Sequence, residues 1–192
     1  MEERLNTSDF AGHCNEATAW RILKEVSQQL MERKQFIVNP FIIEIDDNGH
    51  FILASAPIQH NGFDAPEATP DSPATEAGAV WSLGATLFYI VIGRIVMNGK
   101  GGHYQKETSK LPYMRSEWPE MSELVKQCLQ YEPILRPSMQ DIHNIALKHD
   151  QRCQDEIRRG PKFKNTPPAH QMPDAEQNDL TFWPEAMQKK DF

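Results

Sequence analysis

From residue 16 to 33 the apolar positions Trp20, Leu23, Val26, Leu30 and Met31 recur at helical spacing with charges on the opposite side, which predicts an amphipathic helix. The pattern then breaks into two short apolar runs, 36–45 (FIVNPFIIEI) and 50–54 (HFILA), on either side of Asp46-Asp47-Asn48-Gly49. Asn and Gly tolerate the positive φ of a tight turn, so the two runs predict a β-hairpin. Residues 57–76 hold four prolines and no apolar period, which predicts a loop. A second helix is expected at about 76–92, apolar on every side, followed by Gly-rich and then mixed, irregular chain over 93–117. Helical spacing returns at 120–130 (Leu124, Val125, Cys128, Leu129) and at 138–149 (Met139, Ile142, Ile145, Ala146), with Pro133 and Pro137 in the connection. Ser138 with Asp141 three positions on fits an N-cap and an acidic first turn. From about 151 the apolar period ends; seven basic residues, seven acidic ones and five prolines predict an extended tail, wrapped on the domain or free.

The stretch 77–93, AGAVWSLGATLFYIVIG, carries no charge over a length close to that of a bilayer span. It also contains Ser82, Thr86 and three glycines, with Arg94 directly after it, so the central helix of a globular core is the expectation. The whole chain, 192 residues of which 39% are apolar, suits one domain with a tail. Twenty basic against 27 acidic residues leave a net charge of −7, so there is no global field to attract nucleic acid or an anionic membrane, and neither is expected as a partner. Cys14, Cys128 and Cys153 are too few and too scattered for a disulfide framework, and the opening MEERLNTSDF has no apolar core of a secretory signal. A soluble, cytoplasmic protein is expected.

Three strings stand in order along this pattern: FDAPEA at 63–68, AVWSLGATLFYIVIGR at 79–94 and LVKQCLQYEPILRPSMQDI at 124–142. They resemble, respectively, the Ala-Pro-Glu that closes the activation segment of protein kinases, the buried kinase helix beginning Asp-Val-Trp-Ser-Leu-Gly, and the Arg-Pro stretch near the end of the kinase C-terminal lobe. With the first helix and the hairpin, the resemblance covers about residues 16–149. It implies a buried ion pair between Glu67 and Arg136 that pins the loop to the lobe. Removing one partner of such a pair costs roughly 3–5 kcal/mol.

The chemistry of phosphoryl transfer needs a Gly-rich loop and a strand Lys on the phosphates, a catalytic Asp, and an Asp and Asn for Mg²⁺. Only about fifteen residues precede the first helix, so the N-terminal lobe that carries the first two is absent from this sequence. The stretch FIVNPFIIEID resembles a kinase catalytic loop with about four residues deleted after Val38, which removes the His-Arg-Asp. Asn39 then stands in place of the loop Lys and Ile42 in place of the Mg²⁺-binding Asn. Ser55, Ala56 and Pro57 occupy the place of the Asp-Phe-Gly, and Ala79 that of the Asp that braces the catalytic loop.

Other constellations carry less. Asn98-Gly-Lys-Gly-Gly102 lacks the spacing of a phosphate motif and follows a helix, so it is expected as a plain loop. Glu44, Asp46 and Asp47 are expected as an acidic hairpin turn and not a cation site. The histidines and cysteines show no zinc spacing; His143 and His149, six apart, do not share a helical face. Cys128 is expected in the core, and Cys14, beside His13, is a candidate exposed thiol. The basic run Arg158–Lys164 is expected as solvated tail. The isolated Phe182, Trp183 and Pro184 in the polar tail are either an anchor that folds back into a groove of the same domain or a peptide offered to another protein.

The expected architecture is mainly α-helical, like a protein kinase C-terminal lobe standing alone, with one β-hairpin and an extended C-terminal tail. It divides into an N-terminal segment 1–15, a lobe 16–149 and a tail 150–192. The expected function is a non-catalytic protein–protein interaction module that binds a protein partner, with no catalytic, cofactor or metal-binding residues. The alternative is a degenerate or split kinase that still binds nucleotide or assists a true kinase. The sequence leaves the oligomeric state open.

Overall fold

The computed structural model describes residues 5–34, 36–55 and 62–159. Helix α1 spans Glu16–Arg33, its first turn capped by Asn15, whose side chain accepts from the Thr18 N–H at 2.8 Å. Trp20, Leu23, Val26 and Leu30 are buried as their spacing implies, Met31 is half-buried, and Ile22 and Ser27 widen the buried stripe. Strands β1 (Ile43–Ile45) and β2 (Phe51–Leu53) pair antiparallel with Ile43 opposite Leu53 and Ile45 opposite Phe51. The turn between them is closed by Asp46, whose Oδ1 accepts from the N–H groups of Asn48 and His50, and by Gly49 at φ 79°. The expected extended runs shorten to three residues each, and α1 takes over the outer edge of β2. Glu25 and Gln29 accept from the Phe51 and Leu53 N–H groups, while Gln29 and Arg33 donate to the carbonyls of the same two residues. Side chains thus cover the ladder groups that a third strand would otherwise bond.

Helix α2, Glu76–Ile92, is the centre of the molecule, with Trp81, Leu83, Leu87 and Ile90 fully buried. Thr75 caps its first turn and Gly93, at φ 80°, ends it. Among the described residues no helix is long and apolar enough to cross a membrane. A short turn, α3 (Val96–Gly99), follows, in which Met97 and Asn98 leave helical dihedrals. Helix α4, Pro119–Cys128, packs on α2, and helix α5, Met139–Arg159, lies along α1. Ser138 Oγ accepts from the Asp141 N–H, and the Asp141 carboxylate takes the Ser138 hydroxyl in return.

Two ends of the chain are more structured than their composition implies. The last helix continues ten residues past 149, to Arg159. Asp150 pairs with Lys24 of α1 at 2.6 Å, Arg152 with Glu120 of α4 at 3.0 Å, and Cys153 packs against the core, so tertiary contacts join the helix beyond 149. Before α1, a 3₁₀ turn at Thr7–Phe10 closes on a capping box between Asn6 and Asp9. Thr7, fully buried, donates to the Pro40 carbonyl, and the Gly12 N–H bonds the Ile90 carbonyl. The molecule is mainly helical with one two-stranded sheet.

Candidate functional site

The loop 62–75 is held to the helical body by the buried Phe63 and Ala65 and by a two-point ion pair. Arg136 Nη1 donates to Glu67 Oε1 at 2.6 Å and Nη2 to Glu67 Oε2 at 2.8 Å. The guanidinium donates also to the carbonyls of Ala77, Gln130 and Tyr131, so its five N–H groups all have acceptors. Arg136 is fully buried at its side chain, whereas Glu67 keeps about a third of its surface, at 34%. The arrangement fastens three segments at one point: the loop, the first turn of α2 and the end of α4.

Beside this pair lies a cleft of about 320 Å³, walled by the segment 36–39, the loop 64–75 and the start of α2. It occupies the place in which the kinase resemblance puts a catalytic loop. The segment 38–42 there turns inward on itself. Asn39 is 8% exposed and accepts from the Phe41 N–H; Val38 and Ile42 are buried in the core. Ala79, where the resemblance puts a bracing Asp, is fully buried. The polar residues of its lining are Asn39, Asp64, Glu67, Thr69, Ser72, Thr75 and Ser82, of which Glu67 is committed to Arg136, Asn39 and Thr75 to turn N–H groups, and Ser72 to Thr69. Such a cleft suits an apolar side chain with one or two hydrogen bonds at its edge. Phe41, 54% exposed, stands at the turn between 39 and β1 and leans on the Phe63 and Tyr89 rings.

The remaining candidates fall elsewhere. Asp46 spends its carboxylate on the hairpin turn, and the donated His50 N–H is the main reason its pKa lies below the usual value. Among the described residues no three His, Cys, Asp or Glu side chains gather closely enough to hold a metal ion. Cys14 is not an exposed thiol: it is 6% exposed, and burial pushes its pKa up to about 11. It points inward because the segment before α1 packs against the end of α2. Cys128 is core, with burial driving its pKa to about 12. Two glycines of the 98–102 loop serve a close crossing: Gly101, at φ 78°, passes over Gly62, and a Cβ on Gly102 would meet the Trp81 ring at 2.8 Å. His143 contacts Ser27 and the Lys24 carbonyl, while His149 stacks on Trp20 at 4.1 Å between ring centroids. Phe182, Trp183, Pro184, most of the run 158–164, and Ala56 and Pro57 lie outside the described residues.

One polar relay in the core had no signal in the sequence. Trp81 Nε1 donates to Gln105 Oε1 at 2.9 Å, and Gln105 Nε2 donates to the Leu129 carbonyl at 2.7 Å, all buried. Gln105 sits in chain without periodicity, and only the fold brings it between α2 and the end of α4.

The family model for protein tyrosine and serine/threonine kinases matches residues 54–145, from the end of β2 through the Arg136 anchor into α5. No curated protein matches the chain. The mainly helical architecture and the matched stretch together make this chain kinase-like in fold.

Proposed function

We propose that this chain is a non-catalytic protein-interaction module built like a kinase C-terminal lobe, acting in the cytoplasm and offering the face around the 320 Å³ cleft to a protein partner. The observation that carries the reading is the state of the segment 38–42. Where the kinase resemblance puts the catalytic-loop Lys and the Mg²⁺-binding Asn, Asn39 closes its own turn and Ile42 is a core side chain. These residues do not fit a nucleotide-bound metal. The rigid pin at Glu67–Arg136 is retained, which keeps the loop wall of the cleft in place without any chemistry to serve.

The test uses the full chain. A thermal melt with and without millimolar ATP and Mg²⁺ is expected to show no shift. A ligand at a hundred times its Kd adds about 2.7 kcal/mol, so a rise of several degrees would establish nucleotide binding and sink the reading in favour of a degenerate kinase. Titration with a library of short peptides, read by amide chemical shifts, is expected to move Val38, Ala65 and Ser82. Ligands that shift only amides elsewhere would refute the assignment of this face.

A further inference from the structure

A second and larger cleft, about 890 Å³, opens between the end of α2 and the irregular chain at 109–113. Its charged lining residues are Arg94, Lys100 and Lys110, and none of its lining is acidic. In a chain of net charge −7 this is a local reversal of sign. No carboxylate among the described residues pairs with any of the three cations. The walls between them are aromatic: Phe88 at the base, with Tyr104 and Tyr113 at 62% and 57% exposure. Lys100 Nζ stands 5.3 Å from the centre of the Tyr104 ring. Cations with no carboxylate partner among the described residues, beside exposed aromatic faces, suit a ligand that is acidic and carries an aromatic or apolar anchor.

The same chain holds a segment of that chemistry. Residues 173–187, PDAEQNDLTFWPEAM, contain Asp174, Glu176, Asp179 and Glu185, no basic residue, and the Phe182-Trp183 pair. The path back is short. Arg152 of α5 bonds Glu120 at the start of α4, and Arg115, just before α4, donates to the Val91 carbonyl at the end of α2, next to the cleft. The far half of α5 and the cleft therefore share one end of the molecule. The fourteen residues 160–173 span up to about 46–50 Å when extended, ample for the return. We propose that the Arg94–Lys100–Lys110 cleft is the docking site for residues 173–187 of the same chain, with the four carboxylates on the three cations and Phe182 and Trp183 against the tyrosines. This does not depend on the reading of the 320 Å³ cleft.

Hydrogen exchange on the full chain tests it, compared with Arg94→Glu/Lys110→Glu and, separately, Phe182→Ser/Trp183→Ser. In the native sequence, amides of 176–184 and of 94–113 are expected to exchange at least tenfold more slowly than in either variant. The protection should weaken in 0.5 M salt, since exposed charge pairs are screened there. Unchanged exchange across α2 verifies that each variant is folded, and the Phe182/Trp183 pair lies outside the described body of the domain. Exchange of 173–187 at the rate of a free peptide in the native chain would overturn the proposal and leave the cleft to an acidic partner. Protection that survives the charge reversal would place the segment elsewhere, and protection that rises with protein concentration would assign the contact to a second copy; either refutes docking in cis.

Discussion

Arg136 and Glu67, 69 positions apart, meet in a two-point ion pair in which the cation is fully buried and the anion one-third exposed. The asymmetry sets what each substitution does. Glu67→Ala leaves a buried guanidinium with three carbonyls but no counter-charge, a loss of about 3 kcal/mol, the low end for a buried pair because Glu67 is partly hydrated. At 2–4 °C per kcal/mol for a chain this size, the midpoint should fall by about 6–12 °C. Arg136→Met should cost more, since the carbonyls of Ala77, Gln130 and Tyr131 lose their donor as well. Equal midpoints for Glu67→Ala and the native chain would show that the pair does not pin the loop.

Gln105 joins Trp81 to the Leu129 carbonyl with both ends of its amide. Gln105→Leu keeps the volume but strands a buried indole N–H and a buried carbonyl. Each unsatisfied group costs about 1–3 kcal/mol, so urea unfolding should show a loss of about 2–6 kcal/mol at unchanged m-value. A neutral Gln105→Leu would mean that water replaces the amide.

The three thiols should separate by rate. Cys14 and Cys128, with pKa values raised to about 11 and 12 by burial, hold almost no thiolate at pH 8. Cys153 is partly exposed on α5. A thiol-disulfide reagent at pH 8 should label Cys153 first and the other two only as the domain unfolds. Rapid labelling of Cys14 would contradict its packing against the end of α2.

His149 stacks on Trp20 and is 8% exposed. Burial of the imidazole pulls its pKa below 6.5, opposed by Glu120 and Glu16 and reinforced by Arg152 and Lys148. The unfolded chain then binds more protons than the folded one at mildly acidic pH. The contribution is fully present above pH 6.5 and is lost as pH falls through the folded value. The melting temperature should start to decline below pH 6.5, well above the range in which Asp46 titrates. His149→Phe, which retains a ring against Trp20, should remove that step; an identical decline in the variant would assign it to other groups.

The extents of α1 and α2 were legible in the sequence because each carries its own instruction. An unbroken 3.6-residue stripe or an all-apolar run demands burial wherever it lies, and Asn15, Thr75 and Gly93 mark the boundaries by local hydrogen bonds and dihedrals. The turn at Asp46–Gly49 was legible for the same reason, since its bonds close within five residues. The Glu67–Arg136 pair was accessible only through the family resemblance; no local rule connects positions 69 apart.

What the sequence by itself determined is therefore the four main helices, the hairpin turn, and the carboxylate and guanidinium available to fasten them. Only the tertiary structure decided that α5 continues to Arg159, since Asp150 and Arg152 are polar residues that gain their partners from α1 and α4. It also decided that Cys14 is buried by the segment before α1 and that Gln105 spans the core. The gathering of Arg94, Lys100 and Lys110 at one cleft belongs there too. The physical reason is common to all four: burial and electrostatic neighbours are properties of the packed molecule, set by groups distant along the chain.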